Sequence, residues 1–239
     1  MSIPCELCFH HCQLKEGQTG LCRARANRDG RIVPLNYGKL TALALDPIEK
    51  KPLRHFHPGS MVLSVGSFGC NLRCPFCQNA QIAAAGAEIP ARDCPPEALV
   101  RQAGMYNVLV TNGTIEEGPW QALLPLIDAV NIDLKGFTED WYRTLGGDLE
   151  TVKRSIALAA EHCHVEVTTL IVPGENDSEE EMRALSGWLS SVSPEIPLHV
   201  SRFFPRHHMT DRPPTPVETV YRLAHVARER LPYVYTGNC

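Results

Sequence analysis

From residue 61 to the C-terminus, apolar stretches of strand length alternate with longer stretches of helical period. Strands are predicted over 61–66, 107–111, 129–134, 165–172, 198–203 and 233–236, and helices over 96–103, 120–127, 149–162, 178–191 and 217–230. Local signals agree with this division. Pro96 suits a first helical turn, and Ser178 followed by Glu179, Glu180 and Glu181 places a capping residue and negative charge where a helix N-terminus favours them. A strand–helix rhythm of this kind predicts α/β architecture, a parallel sheet with crossover helices. Upstream the pattern is looser. Alternation over 32–45 around Asn36-Tyr37-Gly38 predicts a short hairpin or extended arm, and Pro47 and Pro52 exclude a long helix over 46–52. His55, His57 and Pro58-Gly59 complete a linker, and no sequence repeat of 20–50 residues accompanies the rhythm.

The chain has 239 residues and is 44% hydrophobic, enough for one α/β domain with a small appendage. The expected division is a Cys-rich metal-binding segment over 1–30, an extended arm over 31–60 and the α/β domain over 61–239. A formal net charge of −4 provides no broad basic field for nucleic acid. No apolar leader follows Met1 and no run approaches the roughly 18 apolar residues of a membrane span, so a cytoplasmic protein is expected. Ten cysteines, mostly clustered and without a secretory signal, point to metal sites in a reducing compartment.

The chemistry concentrates in Cys70-Asn71-Leu72-Arg73-Cys74-Pro75-Phe76-Cys77, a C-x3-C-x2-C loop directly after the first predicted strand and a Ser-Phe-Gly turn. Three thiolates can hold three irons of a [4Fe-4S] cluster and leave the fourth open for chemistry, whereas a structural zinc site usually closes with four ligands. A zinc knuckle and unliganded thiols are the competing readings. Cys5, Cys8, Cys12 and Cys22, spaced C-x2-C-x3-C-x9-C, can close a second site; zinc and an iron–sulfur cluster both fit these ligands. His10 and His11 lie between them and are not needed as ligands. Cys163 is expected to act as a small hydrophobe, and Cys94 has no assignment. In parallel α/β folds ligands gather at the C-terminal strand ends. Those ends bring Thr111 and Asn112, Asp133 and Lys135, Val172, and His199 with Ser201 and Arg202. Asp133 and Lys135, two apart, share a strand face, where they form either a binding pair or an internal ion pair. Phe68, Leu72 and Phe76 either shield the cysteines or pack as ordinary core. His199 is either a cofactor contact or a satisfied strand imidazole, and the Pro-rich run 212–216 is expected to be a stiff linker.

The aromatic residue before the last cysteine, the strand-end residues and the segments at 45–53, 63–66, 70–79, 108–113, 130–136, 171–174 and 201–205 together resemble the AmmeMemoRadiSam-system radical SAM proteins, which are related to the activating enzymes of glycyl radical enzymes such as pyruvate formate-lyase. The resemblance implies a partial (β/α)6 barrel in which Cys70, Cys74 and Cys77 bind a [4Fe-4S] cluster and Thr111, Asp133 and Lys135 surround S-adenosylmethionine (SAM); Asn112, Val172 and His199 are the further cofactor-binding candidates that the strand ends supply. It implies an external electron donor such as flavodoxin or ferredoxin, and hydrogen abstraction from a substrate that could be a glycyl residue of a protein. One departure stands out. Relatives carry a further strand and helix with a Tyr-Asn-Glu-Pro-like turn between the predicted helix at 96–103 and the strand at 107, which here are joined by Gly104-Met105-Tyr106. The barrel is therefore expected to be shorter by about one βα unit, which leaves a cluster-binding scaffold or redox protein without SAM chemistry as the alternative, beside a structural zinc protein.

Overall fold

The computed structural model describes residues 2–95 and 106–239; the predicted helix at 96–103 and most of its junction to the next strand lie outside these residues. Two antiparallel pairs build an N-terminal knob, β1 (Ser2–Pro4) with β2 (Gln13–Lys15) and β3 (Arg25–Arg28) with β4 (Arg31–Pro34). Its interior is small. Leu14, Ala24 and Ala26 are buried there with Asn27, whose side-chain amide donates to the Leu14 carbonyl at 2.9 Å.

Of the predicted arm, residues 31–34 form β4 of the knob, and the rest holds the short strands β5 (Lys39–Leu40) and β6 (Ala42–Pro47) with a 3-10 turn at Ile48–Lys50 in place of a long helix, followed by β7 (Met61–Gly66). After the short helix α1 (Ala80–Ala83), β8 (Arg92–Asp93) pairs back onto β5. The strand at 61–66 forms as predicted, but among the described residues it pairs antiparallel with β6 instead of entering the parallel sheet. Asp46 explains this choice of partner. Its buried carboxylate accepts from Ser64 Oγ of β7 at 2.8 Å, from Lys50 Nζ at 2.7 Å and from Lys51 Nζ at 2.8 Å. Those three donors hold its pKa well below the usual carboxylate range and fix β6 against β7.

The remaining strands are β9 (Val108–Thr111), β10 (Ala129–Asp133), β11 (His164–Ile171), β12 (Leu198–Arg202) and β13 (Val234–Gly237), all parallel and adjacent in sequence order. The helices between them are α2 (Glu117–Leu123), α3 (Glu139–Thr144), α4 (Leu149–Ala160), α5 (Glu179–Val192) and α6 (Val217–Ala227). Ser178 caps α5 as predicted, accepting from the Glu181 N–H at 3.1 Å, and Asp148 caps α4 at 2.7 Å from the Thr151 N–H. α3 is absent from the predicted set. At six residues it is too short to show a helical period, although Thr138 at its N-cap and Glu139 and Asp140 in its first turn mark it.

Side chains alternate across a strand, and here the alternation separates two environments. Val130, Ile132, Val167, Ile171, Leu198 and Val200 pack with Trp120, Ile156, Leu185, Val220 and Leu223 of the helices in one buried core. Fully burying each such aliphatic side chain contributes about 1.5–3 kcal/mol, so this face carries most of the stability. The opposite face is polar. Parallel register aligns Asn131 with Glu166, Asp133 with Thr168 and then His199, and Leu170 with Ser201 and then Gly237.

Glu166 ties the arm to that polar face. Its fully buried carboxylate accepts from the Arg54 N–H at 2.8 and 2.9 Å, the His55 N–H at 2.7 Å, His164 Nε2 at 3.0 Å and His199 Nε2 at 2.6 Å. Burial alone would raise its pKa, but the two imidazoles and two backbone donors outweigh burial and hold it below the ordinary range. A carboxyl depressed in the folded state contributes stability above its unfolded pKa of about 4.3 and loses it as pH falls through the lower folded value. Urea unfolding across pH 3–7 should therefore show a steeper acid loss for the natural protein than for Glu166→Gln, which should already be destabilised at pH 7. Parallel curves would contradict this role.

Candidate functional site

The Cys70–Cys77 loop leaves β7 and is held from several sides. The Gly69 N–H donates to the Ile82 carbonyl at 2.9 Å, the Arg73 N–H to Leu145 at 2.7 Å and the His208 N–H to Pro75 at 2.8 Å. Beneath it, Phe76 stacks on Trp141 at 5.9 Å and meets Phe203 edge-on at 6.4 Å, in a cluster completed by Leu145, Val172 and Met209. The N-terminal knob closes the last side. His10 Nε2 donates to the Asn71 carbonyl at 2.8 Å, Arg73 reaches the Leu21 carbonyl, and the Glu116 N–H donates to Leu7 at 2.9 Å. Gly69 makes this docking possible. At φ +89°, a Cβ there would lie 2.6 Å from the Cys22 carbonyl oxygen and 2.8 Å from the Ala24 side chain.

A cavity of about 1150 Å³ lies between the loop, the knob and the polar sheet face. It exceeds the roughly 300–1,000 Å³ of ordinary small-molecule pockets. Cys70, Cys74 and Cys77 line it, as do Thr111, Asn112, Asp133, Lys135, Thr168 and His199. Cys5, Cys8, Cys12 and Cys22 line it too, so the seven cysteines that sequence divided into two groups share one cavity wall. Among the described residues, no three His, Cys, Asp or Glu side chains converge closely enough to hold a single metal ion. The knob thiols are nonetheless neighbours. Burial raises the Cys8 pKa while the His10 backbone and Asn71 side chain lower it, and the nearby Cys22 and Cys12 raise it further.

Asp133 and Lys135 form the ion pair allowed for by their spacing, at 2.9 Å. Burial opposes the Lys135 charge, but the Asp133 carboxylate outweighs it, with Cys74 and Cys77 acting in the same direction, and its pKa is pushed up. Burial pushes the Cys74 thiol up to about 11, opposed by Lys135 and reinforced by Cys70, Cys77 and Asp133. The lysine is thus the fixed positive charge facing a group of thiols. Its backbone is clamped. The Lys135 N–H donates to Tyr142 Oη at 3.0 Å, while its carbonyl accepts from Trp141 Nε1 and Asn176 Nδ2, each at 2.9 Å. Gly136 admits Trp141 so closely that a Cβ would lie 2.5 Å from the indole.

Asn112 Nδ2 is 3.5 Å from Cys70 Sγ and donates to Asn71 Oδ1 at 3.0 Å, while Thr111 Oγ1 accepts from the Gly113 N–H at 3.2 Å. Val172 differs from the other expected cofactor contacts, being fully buried beside Phe76 and not among the cavity-lining residues. Phe68, Leu72 and Phe76 are all buried, and Leu72 and Phe76 also border the cavity. His199 lines it as well as bonding Glu166. Cys163 is half-buried against the main core, and Cys94 is half-buried outside the cavity. The run at 212–216 is pinned to the sheet by Thr215, whose hydroxyl donates to the Ile171 carbonyl at 2.6 Å. Sequence reasoning passed over Glu166, for which a lone Glu within the strand His164–Ile171 is the available signal; Asn176, expected only as a polar strand-end residue, instead clamps the backbone of Lys135.

Residues 97–185, a span beginning after the cysteine loop, match the Radical SAM superfamily. The uncharacterized protein MJ0808 of Methanocaldococcus jannaschii is 39% identical over 99% of this chain and 81% of its own length. That alignment runs over 272 positions, longer than the 239 residues of this chain, so the relative carries residues that have no counterpart here. Among solved structures, a domain of pyruvate-formate lyase-activating enzyme from Bacteroides vulgatus ATCC 8482 aligns at 18% identity with TM-score 0.48, over 58% of this chain and 84% of that one. TYW1 with a lysine-pyruvate adduct bound aligns at 17% with TM-score 0.43, over 56% and 45%. The chain has an α/β fold with a parallel sheet beneath a cysteine-lined cavity. It belongs to the radical SAM superfamily, and membership implies a [4Fe-4S] cluster and SAM. Among the described residues no helix is long and apolar enough to cross a membrane.

Gly69→Ala should loosen the knob without unfolding the sheet. A side chain at this φ costs about 1–3 kcal/mol before the clash with Cys22 is counted. Amide exchange over 5–22 should accelerate by about tenfold or more while exchange in β10 and β11 stays unchanged. Unchanged exchange in the knob would show that the close approach does not hold it.

Proposed function

We propose that this protein is a radical SAM enzyme whose reaction takes place in the cysteine-lined cavity. One observation carries the reading: Cys70, Cys74 and Cys77 share a cavity with a clamped Asp133–Lys135 pair at the ends of parallel strands. When bound, the [4Fe-4S] cluster and SAM supply a one-electron cleavage of the sulfonium that gives methionine and a 5′-deoxyadenosyl radical. The three cysteines hold three irons, and the absence of a fourth cysteine from the loop leaves one iron for SAM. Asn112 donates toward Cys70 Sγ and Lys135 offsets the negative charge of Cys74 and Cys77, two interactions that tune the couple. Asp133 and Thr111 offer oxygens to the SAM amine and ribose, and His199, held by Glu166, offers an imidazole edge. Leu72 and Phe76 exclude water on the loop side, with Val172 supporting Phe76 from below.

Sequential order of the parallel strands supports a partial (β/α)6 barrel over 61–239, with the knob over 1–30 docked at its mouth. The electron comes from an external donor such as flavodoxin or ferredoxin. The hydrogen atom comes from a substrate that, by the resemblance in sequence, is a glycyl residue of a protein partner, and the protein works in the cytoplasm. The extra residues of the relative and the pairing of β7 with β6 favour a second reading, a cluster-binding protein that does not cleave SAM.

Anaerobic reconstitution followed by dithionite should give 5′-deoxyadenosine and methionine from SAM, and Cys74→Ala should abolish both. Asp133→Ala should weaken SAM binding by about tenfold or more, as expected for losing a charged hydrogen bond worth about 1.5–3 kcal/mol. Cluster loading without 5′-deoxyadenosine would establish the second reading, and bound zinc without sulfide would overturn both.

A further inference from the structure

We propose that the end of the cavity beyond Asp133 and Lys135 holds the substrate, which is recognised there by a carboxylate that Arg54 binds and an N–H or O–H that His199 accepts. The proposal rests on the radical SAM reading of the cavity and names the class of molecule on which that chemistry acts.

Register sets Asp133, Thr168, His199 and Tyr235 side by side on β10 to β13. Neighbouring strands lie about 4.8 Å apart, so the row carries His199 about 10 Å from Asp133. Asp133 and Lys135 stand at the thiol end, since Cys74 acts on the Lys135 charge. Beyond them the cavity is lined by Arg54 of the arm, by His199 and Ser201 of β12, and by Thr236 and Asn238 at the end of the chain.

His199 is 5% exposed, and one side of its ring is committed. Glu166, held below the ordinary carboxylate range, is ionised and can only accept, so His199 Nε2, 2.6 Å away, carries the proton. A neutral imidazole protonated there keeps a lone pair on Nδ1. Among the described residues no protein donor meets that nitrogen, and it is not sealed in the interior. It is an acceptor for a ligand in the cavity.

Arg54 is fixed by the same carboxylate. Its backbone N–H donates to Glu166 at 2.8 and 2.9 Å, and its guanidinium lies over the Tyr235 ring, 5.5 Å from the centroid. The His199 ring is 5.6 Å from that same ring, whose hydroxyl is held by His55 Nε2 at 2.6 Å. One tyrosine thus stands between the cation and the acceptor. The other cations of the cavity wall are engaged, Lys50 and Lys51 with Asp46, Lys135 with Asp133 and Arg25 with Asn36. Among the described residues Arg54 makes no ion pair. Glu49 is a neighbour and not a partner, its carboxylate accepting from the Gly59 N–H at 2.7 Å. A planar guanidinium in this position fits a carboxylate through two parallel hydrogen bonds.

An acidic peptide supplies both groups, a backbone N–H for His199 and an Asp or Glu side chain for Arg54, and is compatible with hydrogen abstraction from a glycyl residue. A free amino acid supplies them as well. Binding of either makes and breaks no covalent bond.

Full-length protein, anaerobically reconstituted, with its cluster oxidised and SAM added, is titrated with acetyl-Ser-Gly-Asp-Ser-amide, with the isosteric Asn peptide and with free aspartate. The Asp peptide or aspartate should bind at least about tenfold more tightly than the Asn peptide, as expected for a charged hydrogen bond. Tighter binding of the Asp peptide supports the proposal with a protein substrate, and tighter binding of aspartate supports it with a small acid. Arg54 is exposed, so Arg54→Gln removes the charge without disturbing the core and should erase the preference. The His199 Nδ1 resonance in a histidine 15N spectrum, assigned by its loss in His199→Gln, should shift at saturation. No binding at about 10 mM, a preference that survives Arg54→Gln, or an unmoved Nδ1 resonance would overturn the proposal. Iron, sulfide and dithionite-driven 5′-deoxyadenosine, measured on the same preparation, test the radical SAM reading separately: their presence leaves it intact when the proposal fails, and their absence overturns it first.

Discussion

The alternation of side chains across β10, β11 and β12 is the constraint on which the rest of this molecule depends. A parallel sheet usually buries apolar residues on both faces, because helices cover both. Here Val130, Ile132, Val167 and Val200 meet the helices, while Asp133, Thr168 and His199 form a polar row on the other side. A slip of one residue in any strand would exchange the two faces. Core stability and the chemistry of the cavity are therefore fixed by the same register.

The polar face is kept in order by groups that do no chemistry themselves. Asn176 accepts from the Val172 N–H at 2.7 Å and donates to the Lys135 and Leu170 carbonyls, each at 2.9 Å. It thereby locks the ends of β10 and β11 at the place where Lys135 meets the thiols. Glu166 does the corresponding work one row lower, satisfying two arm amides and orienting His199. Buried polar groups of this kind add order only when every partner is present. The arm, the knob and the cysteine loop thus lie together over one end of the sheet, joined by hydrogen bonds such as His10 to the Asn71 carbonyl and Asn36 to the Phe68 carbonyl.

Much of this was legible in the sequence, and the failures have identifiable physical sources. The strand–helix rhythm located the five parallel strands, and local chemistry located the Ser178 cap of α5, since both are set by local period and local side chains. Spacing likewise singled out Asp133 and Lys135 as one-faced neighbours. Partner choice is not local, and for that reason the strand at 61–66 does not enter the expected sheet among the described residues: an apolar run does not announce that Asp46, eighteen residues before Ser64, will bind it. Nor could spacing reveal that the knob and loop cysteines line one cavity, because that proximity depends on a positive φ at Gly69 and on Asn71 reaching two neighbours. Val172 illustrates the limit of arguing from strand ends, since its place at the end of β11 puts it under the cysteine loop and not on the cavity wall.

In the proposed function SAM lies against an iron left open by Cys70, Cys74 and Cys77. Electron–nuclear double resonance on the reduced protein, with SAM labelled at its amino nitrogen, tests that contact directly. The expected result is a hyperfine coupling between the labelled nitrogen and the cluster signal that disappears in Cys74→Ala. A reduced cluster signal with no coupling to the labelled nitrogen at saturating SAM would contradict it.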